Sequence, residues 1–228
     1  MEHEHDHRIL QHLAQYVTDN RKAQIHAVLT TRTRYVTIVL ENIFQSQNAS
    51  AAIRTCECMG LQDIHLIEGA QPVASNKKVL KGAHKWVNIE RYTSGTPHAT
   101  AACFENLRSK NYRILCAHPS AVGMPVEEVS LPDQPLAVVF GNELKGLSDF
   151  ALATCDEKIQ IPMFGFTKSY NLSVSVAITL YALMFRLRQS GRAIGLSEEE
   201  KSKITLAWYR KIVRRSALIE REFLRTIV

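Results

Sequence analysis

The chain has 228 residues, of which 46% are hydrophobic and 22% are charged. This composition is that of a globular protein with one sizeable core, and it excludes a disordered chain. The longest apolar runs are shorter than the roughly 20 residues that a bilayer-spanning helix needs, and the first ten residues lack the apolar region of a secretory signal. The five cysteines form no CxxC pair, so a reduced, cytosolic compartment is expected.

The net charge of +6 is unevenly distributed along the chain. Residues 186–228 carry 11 Lys/Arg and 5 Asp/Glu, whereas the residues before them are close to neutral. A basic appendage on a neutral body indicates a polyanionic partner, and nucleic acid is the first candidate. The alternative is that these lysines and arginines only solubilise an exposed helix.

Helical spacing of apolar residues predicts two short helices within residues 8–29, separated at Asp19-Asn20. Further helices are predicted at the ranges 48–59, 97–110 and 171–190. Gly60 is placed to end the first of these three, and the second opens with Thr96-Pro97. Apolar, largely β-branched runs predict strands at the ranges 35–40, 64–67, 86–89, 112–116, 136–140 and 158–161. Residues 72–84 are ambiguous.

Strands thus alternate with helices from about residue 35 to residue 190, and several strands are apolar throughout. This pattern predicts an α/β fold with a mostly parallel sheet that is covered on both faces. The predicted domains are an N-terminal helical extension at 1–35, the α/β domain at 36–190 and a basic C-terminal helical extension at 191–228.

The C-terminal extension begins with Ser197 and Glu200, which form a capping-box pattern. One apolar stripe then follows at roughly helical spacing, formed by Ile204, Trp208, Ile212, Ile219 and Phe223. The opposite face is basic and holds Arg210, Lys211, Arg214, Arg215 and Arg221. The apolar stripe must pack on this subunit or on another.

Polar residues follow the first predicted strand, in the segment Glu41–Asn48, which leads on to Arg54. Polar groups at the carboxyl ends of parallel strands lie where open α/β sheets bind ligands. Asn48 has the alternative role of capping the helix. Arg54 lies among small and apolar residues, which indicates either a functional arginine or a salt-bridged structural one.

Two further segments carry unusual polar residues. The first is Phe140–Ser148, in which Gly141 lets a ligand approach the backbone and Glu143 lies at the carboxyl end of a buried strand. The second runs from Ile161 to Gly165 and then from Ser169 to Ser175, where Asn171 and the serines suit a helix cap and a polar cleft. A turn with an exposed acid and ordinary capping are the alternatives for each segment alone.

Other common motifs are absent or weak. The dinucleotide fingerprint G-x-G-x-x-G and the phosphate-loop motif do not occur in the sequence. The alternating His3, His5 and His7 predict a solvated N-terminal tail more than a metal site. A conventional Rossmann dehydrogenase is therefore unsupported.

Taken together, in this order, the three segments resemble the SPOUT superfamily of RNA methyltransferases, and specifically its TrmH branch of ribose 2′-O-methyltransferases. The resemblance covers about residues 36–186. It implies a SPOUT α/β-knot fold with a deep trefoil knot, which could not be derived from the sequence pattern because knots are nearly absent among folds. It also implies a homodimer with its active site at or near the subunit interface.

The resemblance implies two sets of site residues. The catalytic set contains Asn48, Arg54, Glu143, Ser169 and Asn171. The set that binds the methyl donor S-adenosylmethionine, largely through backbone groups, contains Ala117, Gly141, Ile161, Met163 and Tyr170. No metal is expected. Tyr170 stands where the family often has leucine, so the pocket shape at that position differs from the usual pattern.

About 35 residues precede the first strand, too few for the separate RNA-binding domain that many relatives acting on ribosomal RNA carry. The short helical lead and the basic tail resemble the members that methylate guanosine 18 of tRNA, with Arg210, Lys211, Arg214 and Arg215 as expected RNA contacts. A ribosomal RNA 2′-O-methyltransferase and a catalytically inactive RNA-binding protein remain as alternatives.

Overall fold

The computed structural model describes residues 2–69, 76–93, 99–119 and 123–226, with the side chains of residues 2 and 3 left out. The chain divides into two compact units. One unit is Thr33–Ile194, and the other combines Met1–Arg32 with Gly195–Val228.

The unit Thr33–Ile194 is built on a seven-stranded sheet in the order β3-β2-β1-β6-β4-β7-β5. The strands are β1 Val36–Glu41, β2 Asp63–Ile67, β3 Asn88–Tyr92, β4 Arg113–Ala117, β5 Met124–Pro125, β6 Leu136–Phe140 and β7 Glu157–Gln160. All pairings between these strands are parallel. The parallel α/β expectation is therefore confirmed, and every residue of β1 and β6 is buried, as expected for strands covered on both faces.

Helices cover the two faces of this sheet with separate cores. The helices of this unit are α3 Ser46–Met59, α4 Lys77–Leu80, α5 Ala99–Ser109, α6 Asp149–Thr154 and α7 Leu172–Gln189. On one face, α3 and α7 pack against side chains such as Ile38 and Leu40. On the other, α5 and α6 pack against side chains such as Val39. The alternation along β1 assigns successive residues to opposite cores.

Most predicted elements of this unit occur within a few residues of their expected positions. Gly60 caps α3 in the left-handed conformation (φ 87°), as predicted. Strand β3 begins at Asn88, two residues later than predicted, because Ala83–Lys85 form a short 3-10 helix that ends at Trp86. Within the ambiguous region, the described part from residue 76 contains α4. The predicted helix start at Thr96-Pro97 lies outside the described residues.

The second unit is helical. Its helices are α1 Glu2–Ala14, α2 Asp19–Leu29, α8 Glu198–Ile212 and α9 Ser216–Thr226. Helix α1 packs against α8 and α9 of the same chain. The ring of His12 stacks on Phe223, with centroids 4.2 Å apart, and the buried Arg32 guanidinium lies over the ring of Trp208.

The starts of these helices differ in part from those predicted. The expected N-terminal tail is wrong, because Glu2–Ala14 is helical. The expected break at Asp19-Asn20 is also misplaced: Asp19 begins α2, and Thr18 caps it. The capping box of Ser197 and Glu200 is present at the start of α8. None of the helices in the described ranges is long and apolar enough to cross a membrane.

Candidate active site

The three polar segments meet at one point of the sheet, where strand order reverses. Chain progression from β1 runs outward through β2 and β3, whereas β6 lies on the other side of β1. Ligands of open α/β sheets bind outside the carboxyl ends of the strands at such a switch point. Glu41 ends β1, and Phe140 ends β6 beside it, so the loops that follow these two strands adjoin each other.

A chain of hydrogen bonds joins one residue from each segment. Asn171 Nδ2 donates to Asn48 Oδ1 (3.1 Å), and Asn48 Nδ2 donates to Glu143 Oε1 (2.9 Å). The two residues bonded to Asn48 are 95 and 123 positions away from it in the sequence. The structure therefore brings together three of the five expected catalytic residues.

The orientation of each side chain in this network is set by a second interaction. Asn171 caps α7, and its Oδ1 accepts from Ser173 N (2.9 Å) and Ser173 Oγ (2.7 Å), which directs its amide nitrogen toward Asn48. Glu143 accepts from Phe44 N (3.0 Å) and Gln45 N (3.3 Å) at the start of α3. A carboxylate at a helix N-terminus is stabilised by the helix dipole and by charge-assisted hydrogen bonds.

Asn48 does not cap its helix. Helix α3 begins at Ser46, with Gln45 at the cap position, so Asn48 lies in the first turn. It is 7% exposed, and its side chain bonds to Gln45 as well as to Glu143 and Asn171. The capping alternative for Asn48 is therefore wrong, and its amide serves the network between segments.

The loop that carries Glu143 is held at both ends. Asn142 and Gly146 form an antiparallel bridge, and Asn142 Nδ2 donates to the Asn42 carbonyl (2.6 Å). At the far end, buried Glu41 accepts from Ser148 N (2.9 Å) and Ser148 Oγ (2.7 Å). Sequence reasoning did not identify Glu41 as a support for this loop, although its position at the end of a fully buried strand was the available signal.

Arg54 occupies the same helix as Asn48, six residues later, and is exposed. Within the part of the chain that the structure describes, its side chain has no hydrogen bond or ion pair. Among the described residues, the alternative that Arg54 is a salt-bridged structural arginine is therefore wrong. The guanidinium is available to a ligand. Ser169 is likewise exposed, two residues before Asn171, and the structure places neither Arg54 nor Ser169 in the hydrogen-bonded network.

The expected donor-binding residues follow three adjacent strands. Ala117 ends β4, Gly141 follows β6 and Ile161 follows β7, and these strands are neighbours in the order β6-β4-β7. Ile161 and Met163 are half-buried, whereas Tyr170 is 42% exposed. The backbone groups of Ala117, Gly141 and Ile161 therefore lie at the carboxyl edge of the sheet.

The buried cysteines are unsuited to the chemistry of this site. Burial raises the pKa of the Cys56, Cys103 and Cys116 thiols, so they stay protonated near neutral pH. Across the described ranges, no group of three or more His, Cys, Asp or Glu side chains could hold a metal ion. The polar groups that the network offers are the amides of Asn48 and Asn171 and the carboxylate of Glu143.

Sequence comparison assigns the family. The profile of the SpoU rRNA Methylase family matches residues 35–181, which include all three polar segments. The chain belongs to the SpoU rRNA Methylase family. This SpoU family domain coincides with most of the unit Thr33–Ile194 and contains the network of Asn48, Glu143 and Asn171.

Individual relatives extend the similarity beyond the SpoU domain. A tRNA (guanosine(18)-2′-O)-methyltransferase of Borreliella burgdorferi is 41% identical over 91% of this chain and 93% of its own. The crystal structure of an Aquifex aeolicus TrmH/SpoU tRNA modifying enzyme is 29% identical, with a TM-score of 0.76 over 86% of this chain and 98% of its own. The SpoU methyltransferase AviRb of Streptomyces viridochromogenes, in complex with AdoMet, shares the fold at 22% identity and a TM-score of 0.60, over 72% of this chain and 64% of its own.

Proposed function

We propose that this protein transfers a methyl group from S-adenosylmethionine to a ribose 2′-hydroxyl of RNA, forming 2′-O-methylguanosine at position 18 of tRNA. The observation that carries the proposal is the network of Asn171, Asn48 and Glu143, which joins the three polar segments; Arg54 is exposed on the same helix as Asn48. The 41% identity to the Borreliella burgdorferi guanosine-18 enzyme, over nearly the whole of both chains, supports the substrate.

The donor supplies an electrophilic methyl group on a positively charged sulfur. The backbone groups after β4, β6 and β7, at Ala117, Gly141 and Ile161, are proposed to hold it, with Met163 and Tyr170 completing the pocket. The half-buried Ile161 and Met163 suit the apolar faces of an adenine ring. The AdoMet complex of AviRb, which shares the fold, agrees with a donor site in this domain.

The proposed role of Arg54 is to grip an RNA phosphate and orient the ribose hydroxyl for in-line attack on the methyl carbon. As the new C–O bond forms, the C–S bond breaks and its electron pair stays on sulfur. Arg54 is not the base, because a guanidinium group is not deprotonated in proteins. Water or another group takes the hydroxyl proton, while Glu143, Asn48, Ser169 and Asn171 form the polar wall of the site.

The test is methyl transfer from labelled S-adenosylmethionine to total tRNA and, separately, to ribosomal RNA, followed by nucleoside mapping. We expect label in tRNA as 2′-O-methylguanosine at position 18. Label only in ribosomal RNA would support the methyl-transfer reaction but would show that the substrate is ribosomal RNA and not tRNA. Absence of label in both, together with absence of donor binding, would leave an inactive RNA-binding protein.

The basic tail is proposed to contact RNA phosphates. Arg214 and Arg215 are exposed, and neither side chain has a hydrogen bond or ion pair among the described residues. Arg210, by contrast, is paired within the chain, because its Nε donates to both carboxylate oxygens of Glu220 (3.0 and 3.1 Å). Partial burial lowers the pKa of Lys211. We therefore expect Arg214 and Arg215 to contribute more to RNA affinity than Arg210 and Lys211.

Replacing both arginines, Arg214→Gln with Arg215→Asn, is expected to weaken tRNA binding several-fold at physiological salt. Asparagine is used at position 215 because Arg215 has a φ of 61°, which asparagine tolerates. Each lost phosphate contact removes about 0.7 to 0.9 from the slope of log K against log salt. The slope is measured by filter binding across salt concentrations. Lys203→Gln, which removes a lysine paired with Glu199, is the control and should leave the slope unchanged.

A homodimer is proposed through the exposed face of α7. Val174, Tyr181 and Phe185 are 43%, 61% and 49% exposed at helical spacing, and the rings of Tyr181 and Phe185 stack 5.8 Å apart. A contiguous apolar face of this kind marks a protein–protein contact site. Tyr181→Glu is expected to shift the mass in sedimentation from about twice 25.8 kDa to 25.8 kDa. Tyr16→Glu, at a tyrosine that is 55% exposed in the other unit, should leave a dimer.

The strand order, in which β7 lies between β4 and β5, supports a trefoil knot at the carboxyl half of the domain. The proposed organisation along the sequence is a helical extension at 1–35, the methyltransferase domain at 36–190 and a second helical extension at 191–228. A tRNA-modifying role supports a cytoplasmic location.

A further inference from the structure

Two apolar side chains adjoin Glu143 and are largely exposed to solvent. Phe44 is 74% exposed and Leu144 is 82% exposed. Leu144 follows Glu143 in the chain, and the backbone nitrogen of Phe44 lies 3.0 Å from Glu143 Oε2. Both residues therefore belong to the rim of the candidate active site.

The backbone beneath these side chains is fixed by hydrogen bonds. Asn142 Oδ1 accepts from Leu144 N (2.8 Å), and Asn142 Nδ2 donates to the carbonyl of Asn42, two residues before Phe44. Phe44 N is itself bonded to Glu143. The Phe44 side chain is 74% exposed, so most of its apolar surface is not buried against the described residues. Its apolar surface is available to a ligand that reaches Glu143.

We infer that Phe44 is a stacking platform for the base of the nucleotide whose ribose is methylated, with Leu144 as an apolar contact on the same rim. This inference rests on the proposed function. The base is joined to C1′, one carbon from the C2′ that bears the reacting hydroxyl, so the site that holds the hydroxyl must also accommodate the base. Proteins recognise unpaired RNA bases by stacking them on aromatic rings.

The alternative is that the exposed phenyl ring of Phe44 contacts a second copy of this chain. The α7 face with Tyr181 and Phe185 already offers an apolar surface for that contact. Phe44 is distinguished from that surface by its direct bond to Glu143. We therefore assign Phe44 to the RNA.

The experiment is a double-mutant cycle between the protein ring and the RNA base. One substrate is tRNA with guanosine 18, and the other carries an abasic ribose at position 18, which keeps the 2′-hydroxyl and removes the base. We expect Phe44→Ala to lower kcat/KM on normal tRNA by about 5- to 150-fold. On abasic tRNA the same substitution should have almost no effect, because the stacking partner is already missing. The dissociation constant for S-adenosylmethionine should not change.

Three further variants separate stacking from other effects. Phe44→Trp keeps an aromatic face and should retain activity, whereas Phe44→Leu keeps apolar surface without a ring and should behave like Phe44→Ala. Phe150→Leu is the control for losing a phenyl ring elsewhere, since Phe150 is 41% exposed on α6 and its ring lies near Phe104. It should leave kcat/KM unchanged.

The outcomes distinguish the inference from the proposed function. Equal losses for Phe44→Ala on normal and abasic tRNA would overturn the stacking role while leaving the function intact. A change in the dimer dissociation constant with unchanged kcat/KM would assign Phe44 to a subunit contact and also overturn it. If the wild-type enzyme methylates only another RNA, the assignment of guanosine 18 fails. The same double-mutant cycle, with an abasic ribose at the methylated nucleotide of that RNA, then tests the stacking role of Phe44. If the enzyme methylates no RNA, both fail.

Discussion

Arg54→Lys is expected to lower kcat by at least about 100-fold while leaving the dissociation constant of S-adenosylmethionine unchanged. Lysine keeps the positive charge but loses the planar fork that binds a phosphate through two parallel hydrogen bonds. Arg54 is exposed, and its side chain has no partner among the described residues, so the substitution removes no structural contact described here. A loss of activity would therefore report on the substrate and not on the fold.

The measurement combines single-turnover methyl transfer with calorimetric titration of the donor. Arg108→Lys is the matched control, because Arg108 is a similarly exposed arginine whose guanidinium lies near Asp156 and the Thr154 carbonyl on the other face of the sheet. It should retain wild-type rates. Full activity of Arg54→Lys would contradict the bidentate role and leave only a requirement for positive charge.

The sheet was predictable because strands that are buried on both faces consist of consecutive apolar residues, which can be recognised in the sequence. Strands such as Leu136–Phe140 are apolar at every position, and the structure buries every residue of that strand. Strand β5 was missed because two residues, Met124 and Pro125, carry no periodicity. Helix α6 was missed for a similar reason, since its six residues are too few for an apolar stripe to repeat.

The break in the C-terminal extension was hidden by the same periodicity that predicted the helix. Ile212 and Ile219 are seven residues apart, which is also the spacing of two turns of one continuous helix. The chain instead leaves the helix at Val213 and resumes at Ser216, with Arg215 at a φ of 61°. No glycine or proline marks this turn, so nothing in the local sequence signals it.

The site was only partly predictable. The side chains of Asn48, Glu143 and Asn171 could be named because polar residues follow buried strands and because their order resembles a known family. The backbone nitrogens of Phe44 and Gln45, which hold the carboxylate of Glu143, could not be found, since every residue has the same backbone donor. Glu41 was overlooked because a carboxylate at the end of a strand ordinarily faces water, whereas this one is 1% exposed.

Gly141→Ala is expected to remove both donor binding and catalysis, with a loss of at least about 100-fold in kcat/KM. A methyl group built on Gly141 would lie 2.3 Å from Gly146 C and from Leu147 N. These atoms belong to the backbone of the loop that carries Glu143, so they cannot rotate away as a flexible side chain would. The loop must shift, and the bond from Asn48 to Glu143 shifts with it.

The measurement pairs donor titration with thermal unfolding, because overpacking a fitted loop also costs about 1 to 3 kcal/mol of stability. Gly195→Ala is the control, since a methyl group there meets no atom within 4 Å and its φ is not positive. Normal donor affinity in folded Gly141→Ala protein would show that the donor does not depend on the close approach of these two backbone segments. If the dissociation constant of the donor rises while the melting temperature stays close to that of the wild type, the substitution has impaired donor binding and not folding. That outcome is the one expected.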